Sequence, residues 1–532
     1  MRYGSVKYVS AETVKPQLTD GGEIAFIDVR EHGQYGEGHP FFSVNLPYSL
    51  LETRAEALLP CRSVRCILFD DGDGVAETAA ALLEGRGYDN LQVLAGGAPA
   101  WTAAGFTLFK GVNVPSKSFG ELVEHELGTP SISAEELKTL QERGESVIVL
   151  DGRSPSEFRK MSLPGARSCP NAELAYRLKG LVPDSQTPVV VNCAGRTRSI
   201  IGAQTLQECG VANPVFALRN GTQGWRLAGF ELDHGRAPQP LPTLGADALA
   251  ETRRRGKALI RDYGLATVDA ATLAQWQADE RSTTYLFDVR TQEEYEQAHL
   301  PGARLAPGGQ LVQATDEKVA VRNARIVLSD DTRLRAATTA LWLSGMGHRV
   351  WVLEEDASQG TASGPEDGPE GAGDTLALSD LPAVVASGAV LLDASRGLDY
   401  RKGHIEGARW VTRARLNCLD LPTATPIIVT GRSRPLIAGV IKDLAALGCA
   451  RLDSVQGTPA SWQAAGLTLA QTADVPSQED CIDHLFFVHD RHDGNFEASR
   501  QYLAWELGLL DQLDEQERSV LDPKRVKRVE TV

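Results

Sequence analysis

A cysteine at the end of an apolar run, with two arginines close behind it, can generate and hold a reactive sulfur anion. Residues 187–206 read TPVVVNCAGRTRSIIGAQTL, so the β-branched run Val189 to Val191 stops just before Cys193, and a helix-like run begins after Gly195, Arg196 and Arg198. The nucleophile is the thiolate. A free thiol, with a pKa near ~8.5, is only a few per cent ionised at pH 7, and lowering that value by about two units makes the thiolate the major form. Backbone N–H groups in the following loop can converge on the sulfur, and the start of the helix adds about half a positive charge. Arg196 and Arg198 add full charges if they turn inward. Gly195 permits a tight loop, and Ser199 suits the helix cap. All of this favours a thiolate cradle; the alternative is a buried thiol packed as a small hydrophobe.

The elements that position this loop recur along the chain. FIDVR (26–30), VLDGR (149–153), LFDVR (286–290) and LLDAS (391–395) each read as a strand ending in aspartate. Each is followed by a second apolar run, a turn and a helix-like segment: CILFDDGDG, VVVNCAGRTR, RIVLSDDTRLR and PIIVTGRSRP. From the aspartate to the position of Cys193 or its counterpart the separation is 42 residues three times (28 to 70, 151 to 193, 288 to 330) and 38 once (393 to 431). From there to a glycine that can end the helix (Gly87, Gly210, Gly347, Gly448) it is 17 each time. Four copies of one unit explain this agreement. LPGAR occurs at 163–167 and 300–304, with IEGAR at 405–409. A Gly-rich turn and tryptophan close the first, second and fourth units, as in NGTQGWRLAGF (220–230). The third lacks that ending and runs into SQGTASGPEDGPEGAGD, which reads as linker.

Strands alternating with helices call for right-handed crossovers and a mainly parallel sheet covered on both faces. The expected fold is therefore α/β, with four repeated domains of about 100 residues. They are placed at 1–112, 131–236, 267–356 and 375–475. Helical linkers are expected at 113–130 (SFGELVEHELG) and 237–266 (ALAETRRRGKALIRDYG), a flexible acidic Gly-rich linker at 357–374, and a helical tail at 476–532. In the tail, Tyr502, Trp505 and Leu509 fall on one side, which suits packing on a domain or a second chain; a homodimer is compatible with this.

Bulk composition narrows the chemistry. The 532 residues are 42% hydrophobic and 23% charged, with net charge −16. Such a balance argues against a nucleic-acid binder or a polybasic membrane protein, but not against a small anionic substrate, because a local arginine pair outweighs a screened distant field. The eight cysteines are scattered without CxxC or metal-ligand spacing, which fits free thiols in a reducing compartment. The beginning of the chain has no apolar signal segment, and no run reaches the ~20 apolar residues of a membrane span. A cytoplasmic protein without metal or cofactor is expected. His484, His489 and His492 lack convincing metal spacing and read as surface.

VLDGRSPSEF, LPGAR, CAGRTRS and NGTQGWRLAGF together resemble a rhodanese domain, and the four-unit array resembles tandem-rhodanese sulfurtransferases. The motifs are most specific in the second unit, weaker in the first and fourth, and weakest in the third. The resemblance implies a thiosulfate:acceptor sulfurtransferase. Cys193 would take the outer sulfur of thiosulfate, or of a similar anionic donor, as a persulfide and pass it to cyanide, a small thiol or a protein thiol. Arg198 would face the bound anion, with Ala194, Gly195, Arg196, Thr197 and Ser199 forming the rest of the cradle. Arg153 and Arg167 are candidate rim contacts, structural ion pairs being the equal alternative for both. Glu157 is read as a partner of Arg153.

The sequence also departs from the family pattern. Asp70, Asp330 and Gly431 replace the cysteine in the other units, so only one unit should be catalytic. Where the family often has Gly-His before its Leu-Pro-Gly-Ala segment, the second unit has Met161-Ser162. His39, His299 and His404 stand near that place elsewhere and are read as structural. Arg335, beside Asp330 and Asp331, either retains a pocket or forms a salt bridge, the latter preferred. Cys169 is read as packing before a resolving thiol. Two alternatives stand: a persulfide carrier or scaffold serving a partner protein, and a phosphatase or arsenate reductase. The related loops of the latter have five residues between cysteine and arginine, against the four here.

Overall fold

The structure is a computed structural model that describes residues 6–366, 373–421, 424–489 and 495–525. Four mainly parallel sheets flanked by helices recur along the chain. In the second repeat the strand order is Ser131–Ile132, Val215–Leu218, Val189–Asn192, Ile148–Asp151, Arg167–Ser168, and every pairing is parallel. The third repeats this order with Thr267–Val268, Arg349–Leu353, Arg325–Ser329, Thr284–Asp288 and Arg304–Leu305. The first follows it with Tyr8–Val9, Leu91–Leu94, Arg65–Phe69, Ile24–Asp28 and Val44–Asn45. In the fourth, Leu452–Gln456, Ile427–Gly431, Val390–Asp393 and Arg409–Trp410 make up the sheet.

Helices on both faces explain why the central strands read as unbroken apolar runs rather than alternating ones. Val189, Val190 and Val191 are all fully buried. Val190 joins Val149, Phe158, Leu163, Leu218 and Trp225 in one core cluster, so the closing tryptophan of the sequence motif is a core residue. In each repeat one central strand (Ile24–Asp28, Ile148–Asp151, Thr284–Asp288 or Val390–Asp393) ends on its aspartate, at the carboxyl edge of the sheet where ligands gather in open α/β folds.

The chain forms two compact units. One comprises residues 1–20, 24–112 and 367–489, and so holds the first and fourth repeats; the other comprises 21–23, 113–366 and 490–532, with the second and third repeats. Helices run over Val114–Leu127 and Ala246–Tyr263, both within the second of these units. The expected flexible stretch 357–374 behaves differently over its first part. Ala357 is buried, Ala362 bridges to His299, and a side chain at Gly360 would overlap the His299 backbone. The third repeat therefore does have a closing segment, without the tryptophan; residues 367–372 lie outside the described residues.

The tail is likewise divided. Around Cys481, the chain packs on Gly397 and Gly33 within the first unit, while the helix Phe496–Leu507 belongs to the second. Tyr502 and Leu509 are buried, as an inward-facing side requires. His484 is half-buried rather than solvated; the His489 side chain and His492 lie outside the described residues. Among the described residues no helix is long and apolar enough to cross a membrane, and no cluster could hold a metal.

Candidate active site

Cys193 follows the strand Val189–Asn192 directly, and the helix Thr197–Glu208 starts four residues later. Asn192 fixes the strand end by donating from Nδ2 to Asp151 Oδ2 at 2.8 Å. The closing turn docks on the loop from the other side. Thr222 N donates to the Cys193 carbonyl at 2.8 Å and Gln223 N to the Ala194 carbonyl at 3.2 Å. Gly221 adopts φ +54, and any side chain there would overlap the Cys193 carbonyl oxygen, so the turn can approach only as glycine.

The Arg198 charge and the polar groups of Ser199 both favour the thiolate of Cys193. Ser199 does not cap the helix as expected; its hydroxyl reaches the Arg196 carbonyl at 2.7 Å, and Arg196 occupies the cap position. Cys193 is 2% exposed, and burial pushes its thiol up from the ordinary value, against the pull of Arg198 and Ser199. The expectation of a lowered thiol pKa is thus reversed: desolvation wins in the resting site.

The two loop arginines have separate tasks. Arg198 is gripped by Glu157 through both carboxylate oxygens, and Asn171 Nδ2 donates to its carbonyl. Glu157 is therefore the partner of Arg198, not of Arg153. Arg196 points away from the sulfur: Nε donates to Glu121 Oε1 at 2.7 Å, Nη2 to Glu121 Oε2 at 2.8 Å, and it also pairs with Glu124. It ties the loop to the helix Val114–Leu127.

Arg153 and Arg167 are not brought to the sulfur. Arg153 folds back on Asp151 at 2.8 and 2.7 Å and donates to the Met161 carbonyl, all buried. Arg30 on Asp28 and Arg290 on Asp288 repeat this geometry in units without a cysteine, which makes it part of the framework. Arg167 donates to the Leu181 carbonyl at 2.8 Å. His39, His299 and His404 are framework too. Each donates from Nδ1 to the carbonyl four residues earlier and stacks on that same tyrosine, at 3.8, 3.8 and 3.7 Å between ring centres. Cys169 is fully buried, and burial raises its thiol well above the usual range, as a packing role requires.

The cysteine-free loops reveal what the cradle holds. In the first repeat the Asp70 side chain accepts from the N–H groups of Gly72, Gly74 and Ala76 at 2.8, 3.0 and 2.9 Å. In the third, Asp330 accepts from Arg333, Arg335 and Ala336. A carboxyl group thus sits where successive amides converge, the arrangement of an anion nest. Burial and the neighbouring Asp331 push Asp330 up to about 7, against Arg335. Arg335 itself is fully buried and paired with Glu173, Glu294 and Asp331 at 2.6–2.7 Å, the salt-bridge alternative.

One contributor was missed from the sequence. Glu506, on the tail helix, accepts from Thr197 Oγ1 at 3.0 Å and lies against Gly195. Its negative charge also raises the Cys193 thiol. No spacing relates it to the loop; the amphipathic tail pattern was the single available signal.

A family model described as the rhodanese-like domain matches residues 10–104, 133–228 and 269–362, more than half of the chain and coincident with the first three repeats. The chain is similar to a thiosulfate sulfurtransferase from Pseudomonas aeruginosa, known from a crystal structure. It is 39% identical with a TM-score of 0.89, covering 97% of this chain and 99% of that one. It is also 34% identical over 111 residues to an HTH-type transcriptional regulator of Mycobacterium tuberculosis, 20% of this chain and 48% of that protein. The chain spans about half the length of that curated relative.

Proposed function

The chain belongs to the rhodanese-like family, and from that premise we propose that it is a sulfurtransferase working through a Cys193 persulfide, with thiosulfate as donor. The Cys193 thiolate attacks the outer sulfur of thiosulfate. A bond forms between the two sulfurs, the donor's own S–S bond breaks, and its electron pair leaves on sulfite. Attack by cyanide or a thiol on the outer sulfur then returns the pair to Cys193. A covalent intermediate divides the transfer into two steps and gives ping-pong kinetics.

The observation that carries this reading is the seating of Asp70. Its carboxylate lies among Gly72, Gly74 and Ala76 N–H groups, the positions that correspond to Gly195, Thr197 and Ser199. Where the first repeat seats the oxygens of an internal carboxyl group, the second has a sulfur that becomes an extended anion on sulfuration. Arg198 adds the full positive charge, and Glu157 fixes its direction.

The test is intact-protein mass after thiosulfate treatment and removal of excess reagent, for the wild type and Cys193→Ala. One added sulfur atom in the wild type alone, lost to cyanide, supports the mechanism. Equal gain by both moves the chemistry to another cysteine. No gain by either excludes thiosulfate as donor and favours the persulfide-carrier reading, with sulfur supplied by another protein.

A further inference from the structure

The wall of the Cys193 loop contains polar atoms that the mechanism above does not use. Gln223 comes from the closing helix Gly221–Leu227 and Glu506 from the last turn of the tail helix Phe496–Leu507. They are 6% and 2% exposed. Glu506 Oε1 is taken by the Thr197 hydroxyl. Glu506 Oε2, and both Oε1 and Nε2 of Gln223, have no hydrogen-bond partner among the described residues. Two of these groups meet beside Gly195: a Cβ built there would lie 3.0 Å from Glu506 Oε2 and 3.5 Å from Nε2 of the Gln223 carboxamide. Burying a carboxylate oxygen and a whole carboxamide unpaired is costly, and native proteins rarely do so without a ligand or water to satisfy them.

We propose that Glu506 and Gln223 form a subsite for the ammonium group of a small aminothiol acceptor, a reading that rests on the sulfurtransferase function above. Glu506 Oε2 and Gln223 Oε1 are acceptors, and an ammonium supplies three donors. Arg196 directs its hydrogen bonds to Glu121, Glu124 and Asn220, so it acts on Glu506 through its charge alone. A cationic acceptor offsets the carboxylate, a neutral thiol leaves it unpaired, and an anionic thiol meets repulsion. Gly195 leaves the wall open at this point, since a side chain there would press on Glu506 and touch Gln223. In the transfer itself the acceptor thiol first gives its proton to solvent. Its sulfur then attacks the outer sulfur of the Cys193 persulfide, forming the new S–S bond, and the Cys193–sulfur bond breaks with its pair returning to Cys193 as thiolate.

The experiment compares cysteamine with 2-mercaptoethanol as acceptors from thiosulfate, using the full chain as wild type, Glu506→Gln and Gln223→Leu. The readout is the ratio of the two kcat/KM values, in which each variant's general losses cancel. The expected result is a ratio lower than wild type by roughly tenfold in Glu506→Gln and by about threefold in Gln223→Leu. A ratio within twofold of wild type in the variants that load sulfur overturns the subsite while leaving the persulfide mechanism intact. Failure of the wild type itself to take up sulfur, read by mass, overturns the underlying function and the subsite with it. Gln223→Leu keeps the test decisive if removing the Glu506 charge disturbs the seating of the tail helix.

Discussion

Glu157 holds Arg198 with both carboxylate oxygens, Oε2 at 2.7 Å from Nη1 and Oε1 at 2.7 Å from Nη2. Arg198 and Arg153 together keep the Glu157 carboxyl well below the usual carboxylate range despite its burial. Glu157 is itself fixed by a capping box with Ser154 at the start of the helix Pro155–Lys160. The arginine whose charge acts on the sulfur thus has its direction set by a neighbouring helix end.

Glu157→Gln keeps the volume and removes one leg of this fork. The expected outcome is a roughly tenfold slower persulfide formation from thiosulfate, because a planar guanidinium loses its preset angle. Rapid-quench mass spectrometry measures it; an unchanged rate would mean that Arg198 does not meet the donor.

Cys193 should titrate above an ordinary thiol. Its thiolate fraction, and hence its alkylation rate by iodoacetamide, should climb about tenfold per pH unit from pH 7 and pass ~8.5 without a plateau. Glu506→Gln removes a nearby negative charge, so it should move the midpoint downward. A plateau already reached at pH 7.5 would sink the claim that burial outweighs Arg198.

Gly221→Ala and Gly97→Ala make a matched pair. At φ +54 and +59, an added Cβ would overlap the carbonyl oxygens of Cys193 and Asp70 respectively. Each should cost about 1–3 kcal/mol of stability, seen as a lower Tm. Gly221→Ala alone should also reduce sulfur uptake, since Asp70 belongs to a loop without a nucleophile. Equal loss of uptake in both would contradict this division.

Asp330 offers a pH test. Its carboxyl is pushed up to about 7 when folded, above the ~3.9 of an unfolded chain. A raised folded value contributes stability that is complete below the unfolded pKa and is lost as pH rises through the folded one. The Tm advantage of wild type over Asp330→Asn should therefore shrink between pH 5 and pH 8. A constant difference across that window would show that this carboxyl does not change protonation there.

Legibility followed sequence distance. The aspartate-ending strands, the Cys193 loop and the docking turn lie within one repeat, and local pattern sufficed for each. The same pattern placed two arginines by the sulfur but not their directions, because the partner that draws Arg196 away, Glu121, sits in a linker helix 75 residues earlier. Arg153 was ambiguous until its counterparts Arg30 and Arg290 were seen in the same fold-back on Asp28 and Asp288. The union of the first and fourth repeats, joined for instance by Tyr48 donating to Asp443 across 395 positions, has no local signature at all. Pairwise choice among similar repeats is made by surface complementarity, which a single repeat's hydrophobic periodicity does not encode.

Glu506 reaches the Cys193 loop from 309 positions beyond Thr197, and that separation carries a timetable. At about 5–20 residues per second, synthesis takes roughly 15–60 s to travel from the cysteine to the glutamate. The second repeat has all its strands long before that, so a nascent chain presents the thiol and its amide cradle without the tail's carboxylate. Whatever discrimination among acceptors the tail helix confers arrives last, as a finishing step of biosynthesis rather than a property of the repeat that bears the nucleophile.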